Sequence, residues 1–260
     1  MIRDPNEVRT ALGKRAPAAG QADPSARAGS AALAAPAPAA APDEVRRAAI
    51  LENISASYFY LRRGLAVLAL VFPLVLWARA GIHPSLSAYY HCSRDGCAAG
   101  GGAARDVLVG VLLATGAFLF FYKGYRKLED WVLNIAGVAA AVVAFFPSDF
   151  ARVEGRSLIG KIHFTGGLVF FLAIAFVCLF CSGDTLRELR DAAAVKRYRR
   201  YYAALGAAMI AVPIGVFALH YLQARPGRNY AVLGVELAGL VVFATFWLVK
   251  SAEIALIEKQ

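Results

Sequence analysis

His83-Pro84-Ser85-Leu86-Ser87-Ala88-Tyr89-Tyr90-His91, followed by Arg105-Asp106 and the apolar run from Val107, is the stretch that decides how this chain is read. It is polar and aromatic, it holds two of the four histidines, and strongly apolar segments flank it on both sides. Six apolar blocks are visible, at roughly 64–80, 107–122, 131–147, 163–181, 201–222 and 230–249. A helix needs ~20 predominantly apolar residues to cross the hydrocarbon core of a bilayer. The second and third blocks are short, but Tyr122-Lys123-Gly124-Tyr125-Arg126-Lys127 between them has the aromatic and basic make-up of a membrane interface. Pro73 and Pro213 fall inside spans, where neighbouring helices satisfy the carbonyls that proline frees. The expected fold is all-α, a polytopic membrane protein with a six-transmembrane-helix bundle over 63–260.

Composition agrees. Apolar residues make up 59% of the 260 positions, against roughly 45–50% in soluble domains. The net charge of +10 is spread between the apolar blocks. That pattern fits retention of Lys and Arg on the cytoplasmic side, and it argues against a nucleic-acid-binding module. Heavy use of Ala, Gly and Arg points to a GC-rich bacterial genome, and so to the bacterial inner membrane.

Residues 1–43 are Ala, Pro, Gly and charge without periodicity, and they are expected to form a disordered cytoplasmic tail. Over 44–62, Leu51, Ile54, Tyr58 and Leu61 recur at helical spacing with Arg46, Arg47 and Glu52 off that stripe. This reads as an amphipathic interfacial helix. Arg62 and Arg63, then Lys123, Arg126 and Lys127, then the basic residues of 187–200 place both termini in the cytoplasm. Rows of small residues suggest helix-packing faces: Gly110 and Ala114, then Ala136, Ala140 and Ala144, then Ala203, Ala207 and Ala211.

With that topology all four histidines fall at the outer face: His83 and His91 in the first outer loop, His163 opening helix four, His220 closing helix five. Glu236 lies inside the last span, where a carboxylate is costly and normally faces the bundle interior with a partner. His220, Arg105 and Arg228 are the expected partners. Asp106 precedes helix two, as a cap would. Asp106 and Glu236 are the candidate catalytic carboxylates. Ser87, Tyr90, His91, Arg105 and Asp149 form the candidate ligand-binding set. His91, His163 and His220 are the candidate metal ligands, with zinc as the possible cofactor, because three protein ligands and an open position activate water. Cys92 and Cys97 can close a disulfide over the outer loop, whereas the C-x-x-C of Cys178 and Cys181 on an apolar helix reads as packing.

Ser85 to His91, Arg105-Asp106-Val107-Leu108-Val109-Gly110 and Phe118 to Tyr125 together resemble an uncharacterised family of bacterial six-span membrane proteins. Glu129-Asp130, Ala144-Phe145-Phe146-Pro147 and Ile162-His163 continue the likeness, which covers about 83 to 180 and implies membrane residence without a reaction. The donor types are also similar to those of alkaline-ceramidase and progestin-receptor-like membrane hydrolases, which hold zinc with three histidines beside Ser and Asp. That likeness implies Ser85 or Ser87 in the serine role; the chain departs from it in having six spans and no paired histidines in the last one. Three functions are therefore expected as alternatives: binding of a small ligand or lipid in an outward-facing pocket, metal-dependent hydrolysis of a lipid-like substrate, or proton-coupled transport through Glu236.

Overall fold

The computed structural model describes residues 42–92, 101–149, 157–222 and 230–260, except for the side chains of 42, 101, 217 and 220–222. The expected tail at 1–43 therefore lies almost wholly outside the described residues, as do Cys97, Arg228 and the His220 side chain. The chain divides at residue 45, and every contact described below lies within Arg46–Gln260.

The described residues form α1 (Pro42–Ala80), a 3₁₀ turn (Ser87–His91), α2 (Gly101–Phe121), α3 (Lys127–Phe145), α4 (Leu158–Phe176), a π turn (Val177–Cys181), α5 (Ser182–Leu186), α6 (Ala192–Leu222) and α7 (Ala231–Glu258). Among the described residues five stretches are long and apolar enough to cross a membrane, as a multi-pass protein requires: Asp43–Ala80, Gly102–Phe121, Lys127–Phe145, Leu158–Leu186 and Ala231–Glu258. The segments read as an interfacial helix and a first span are continuous in α1. That helix stops at Gly81, whose φ of 75° belongs to the left-handed region and whose N–H donates to the Trp77 carbonyl at 2.9 Å. Glycine adopts this C-terminal cap without steric cost.

Helix starts lie earlier than the apolar blocks indicate. α2 begins at Gly101, so Asp106 sits in its second turn and is exposed instead of capping the helix. α4 begins at Leu158, so His163 lies in its second turn. In both cases charged or polar residues continue a helix whose hydrophobic stretch starts later. Caps are supplied by other groups. Ser157 Oγ accepts the Gly160 N–H at 3.1 Å, while Glu129 and Asp130 reach back from α3 to the N–H groups of Tyr125 and Gly124 at 2.8 and 2.6 Å.

α2 packs on α3, α3 on α4, α4 on α6 and α6 on α7. α1 supplies Leu65, Ala66 and Ala69 to one core with Leu119 and Trp247, and Phe72, Leu76 and Ala80 to a second with Tyr89, Leu108 and Leu233. Of the expected small-residue rows, Ala136, Ala140 and Ala144 are buried. Ala203, Ala207 and Ala211 are exposed, and α6 packs instead through Tyr202, Gly206 and Met209, one residue round the helix. The α2–α3 crossing is set by Gly116 and Gly137 and not by Gly110, which is exposed. A Cβ on Gly116 would lie 2.7 Å from the Gly137 carbonyl oxygen, and one on Gly137 2.5 Å from that of Gly116. Close backbone approach is the main source of helix association in lipid. Gly116→Leu and Gly137→Leu should each destabilise the protein by about 1–3 kcal/mol through overpacking, whereas Ala207→Leu should stay within about 0.5 kcal/mol. Thermal unfolding in detergent measures this, and an equal loss for Ala207→Leu would refute the assigned packing face.

Candidate functional site

At the end of the bundle that carries residues 81–92, loop and helix cap each other. The first turn of α7 has orphan N–H groups and no side-chain cap. One of them, from Leu233, donates to the Pro84 carbonyl at 3.0 Å. In return Glu236 reaches up from the second turn of α7. Its Oε2 accepts the Leu86 N–H at 2.5 Å and its Oε1 accepts the Ser85 hydroxyl at 3.2 Å. The partners of the mid-span carboxylate are therefore backbone and hydroxyl donors of the loop. Of the expected partners, Arg105 meets Tyr90 instead, and the side chains of Arg228 and His220 lie outside the described residues.

This arrangement holds Ser87 at the start of the 3₁₀ turn, facing α4. His163 Nδ1 lies 2.6 Å from the Phe146 carbonyl and Nε2 lies 3.1 Å from Ser87 Oγ. A carbonyl only accepts, so Nδ1 carries the proton and Nε2 accepts from the Ser87 hydroxyl. His91 Nε2 meets the Ser148 carbonyl at 2.6 Å, and the Ser148 hydroxyl donates to the Ser87 carbonyl at 3.5 Å. Asp149 Oδ2 accepts the Ser157 N–H at 2.6 Å and thereby anchors the start of α4. Arg105 stacks over the Tyr90 ring at 4.6 Å and donates to its hydroxyl at 3.3 Å. Tyr90 donates in turn to the Phe145 carbonyl at 3.4 Å. Tyr89, fully buried, donates to the Gly81 carbonyl at 2.5 Å and accepts the His83 N–H at 3.2 Å. Burial raises its phenol above the ordinary range, which keeps it a neutral donor.

Of the candidate residues, the structure thus brings together Ser87, His163 and Glu236, with His91, Tyr90, Arg105 and Asp149 around them and Asp106 exposed on α2. Among the described residues no three His, Cys, Asp or Glu side chains converge on a metal position; the set that includes His220 lies outside the described residues. Cys92 is disulfide-bonded, and Cys97 lies outside the described residues. Cys178 and Cys181 are free and buried in the core.

Beneath Ser87 and Glu236 lies a cavity of about 140 Å³. Its floor and walls are apolar: Val111, Leu112, Phe170, Phe171, Leu240 and Phe243 face it, with Gly167 and Gly239 opening the space. Ser87 and Glu236 are its polar groups beside the 81–92 loop, and Thr115 adds a hydroxyl from α2.

A second polar cluster, at the opposite end, escaped sequence reasoning. Lys250 and Glu253 on α7 are buried and 3.2 Å apart. Lys250 Nζ donates to Thr185 Oγ1 at 2.5 Å, and the Tyr202 hydroxyl donates to Glu253. The π turn, which shifts the helix register, leads into α5 and its Thr185. The available signal was spacing: Lys250 and Glu253 continue the face of Phe243 and Trp247, although they follow the last apolar block. Lys250→Met should lower stability by about 3–5 kcal/mol because it leaves a buried carboxylate uncompensated, and Lys250→Met with Glu253→Gln should recover most of that loss. Unfolding of both variants measures the difference, and equal losses would show that the pair is not coupled.

Comparison of the chain with family models, with curated proteins and with solved structures returns no match.

Proposed function

We propose that this chain is a six-span protein of the bacterial inner membrane, of the uncharacterised six-span type it resembles, and that it binds a single-chain amphiphile in the cavity beneath Ser87 and Glu236. α6 (Ala192–Leu222) provides the sixth span. The end rich in Arg62, Lys123, Arg126 and Arg187 faces the cytoplasm. The ligand's polar linkage lies against Ser87, His163 and Glu236, and its apolar chain runs down toward Phe243.

The observation that carries this reading is the make-up of the cavity, whose lining joins the Ser87 hydroxyl and the Glu236 carboxylate to a surface made mostly of Leu, Val and Phe, with His163 reached through Ser87. Apolar pockets with a few convergent polar groups are the usual form of a ligand site. The volume of about 140 Å³ lies below the ~300–1,000 Å³ of drug-sized pockets. It holds a linkage and the first few carbons of one chain, since a cavity of ~150 Å³ takes benzene, and the rest of the chain lies outside it.

One observation favours transport as a second reading. The cavity continues from Glu236 past Gly239 and Leu240 to Phe243, about 10 Å inward at 1.5 Å per residue. That is the α7 face on which Lys250 and Glu253 follow. A Glu236→Gln protein with unchanged proton-coupled flux in proteoliposomes would rule this second reading out.

Gly167 provides the direct test of binding. It lines the cavity, and a Cβ built on it meets nothing within 4 Å, so a larger side chain fills the space without disturbing the walls. The purified protein should bind a fluorescent single-chain lysolipid saturably at one site. Gly167→Leu should weaken binding about tenfold, ~1.4 kcal/mol, with an unchanged or raised unfolding temperature. Equal affinity of the two proteins would place the amphiphile elsewhere.

A further inference from the structure

The geometry points to Ser87 as an acyl-accepting nucleophile and His163 as its general base, acting on a carboxylic ester of a single-chain amphiphile. This rests on the reading of the cavity as an amphiphile site and adds a reaction to it.

Three features carry the assignment. The first is the imidazole. The Phe146 carbonyl, 2.6 Å from Nδ1, fixes both the tautomer and the ring plane of His163, and leaves the Nε2 lone pair on the Ser87 hydroxyl at 3.1 Å. A nucleophile bonded to a base that a third group orients is the arrangement that activates a serine. A backbone carbonyl takes the orienting role here. The second is placement, because Ser87 lines the same cavity as Phe170, Phe171 and Leu240, with the linkage end of the proposed ligand beside its Oγ. The third is the pair of donors next to the nucleophile. The Leu86 N–H donates to Glu236 Oε2 and the Ser85 hydroxyl to Glu236 Oε1, so two donors beside the nucleophile face one carboxylate. These are donors of the kind that stabilise a tetrahedral oxyanion. An ester oxygen reaches them once the Glu236 carboxylate moves aside.

The steps balance without a further co-reactant except water. Ser87 Oγ bonds to the ester carbon as its proton passes to His163 Nε2, and the carbonyl π pair moves onto oxygen. Return of that pair breaks the bond to the alcohol oxygen, which leaves with the proton from Nε2. A water molecule then attacks the acyl-serine and gives a proton to Nε2. Collapse of the second tetrahedral intermediate releases the carboxylic acid as the Ser87 oxygen recovers that proton.

The test uses the full chain in nanodiscs and a single-chain alkyl fluorophosphonate, whose phosphorus takes the serine oxygen as fluoride leaves. Peptide mass spectrometry of the wild-type protein should locate the adduct on Ser87, and excess lysolipid should suppress it. His163→Gln should slow labelling about a hundredfold, the scale of general-base catalysis. Wild-type protein should also hydrolyse a medium-chain p-nitrophenyl ester with a burst of one p-nitrophenol per chain. If the wild-type protein binds the lysolipid but Ser87 remains unlabelled, the acyl-transfer assignment fails and the binding reading stands. Labelling of Ser87 that lysolipid does not suppress refutes the shared site. Labelling at an unchanged rate in His163→Gln removes His163 as the base.

Discussion

The exchange of caps between the 84–86 segment and the first turns of α7 is the constraint on which the upper half of the bundle depends. Near hydrocarbon, an unsatisfied backbone N–H or carbonyl costs several kcal/mol. The loop after α1 must therefore find partners for its own polar backbone, and α7 must do so for its orphan first-turn amides. Each serves the other: Pro84 gives a carbonyl to Leu233, and Glu236 gives two oxygens to Leu86 and Ser85. A mid-span carboxylate is expensive in isolation. Here the hydrogen bonds from Leu86 and Ser85 offset part of that cost. The position of Ser87 follows directly, and with it the contact to His163 on α4.

The opposite end solves a related problem differently. Lys250 and Glu253 are held by each other, by Thr185 and by Tyr202, inside a core of Trp247, Phe246 and Cys178. Buried pairs of this kind contribute little net stability, yet losing one partner is costly. They therefore act more as a register device between α5, α6 and α7 than as a source of free energy. The π turn at Val177–Cys181 belongs to the same device. Its Val177 carbonyl accepts both the Ser182 N–H and, at 3.1 Å, the Ser182 hydroxyl, and the changed register precedes Thr185.

How much of this was legible in the sequence depends on which physical signal each feature uses. Long apolar runs report membrane-length helices directly, so α1 to α4 and α7 were readable within a few residues. Their starts were misplaced where charged residues such as Asp106 and Lys161 ride on helix already formed. The phase of α6 was misread because Ala203, Ala207 and Ala211 suit a lipid-facing surface as well as an interface; Gly206, where a Cβ would meet Leu179 at 2.6 Å, marks the packed face. Glu236 announced itself by its cost in a span, whereas its partners did not, since backbone donors leave no mark in a sequence. The Ser87–His163 pair joins residues 76 positions apart, and Lys250 with Glu253 passed for an ordinary helix end.

The cavity is the remaining element, and its energetics bear on what it is for. The cavity of about 140 Å³ is partly open, and its Leu, Val and Phe walls have no packing partner across it. A membrane bundle held by close van der Waals contact has little reason to carry such a gap. Gly167 has room for a side chain and Ala140 faces the same space, so filling it is sterically open. The void is also placed where its polar groups meet the one loop whose hydrogen bonds organise that half of the molecule. An occupant with an apolar chain would supply those contacts, while its linkage would lie against Ser87, His163 and Glu236. Binding and positioning therefore draw on the same arrangement, since the cap that satisfies Glu236 also fixes the hydroxyl at the mouth of the cavity.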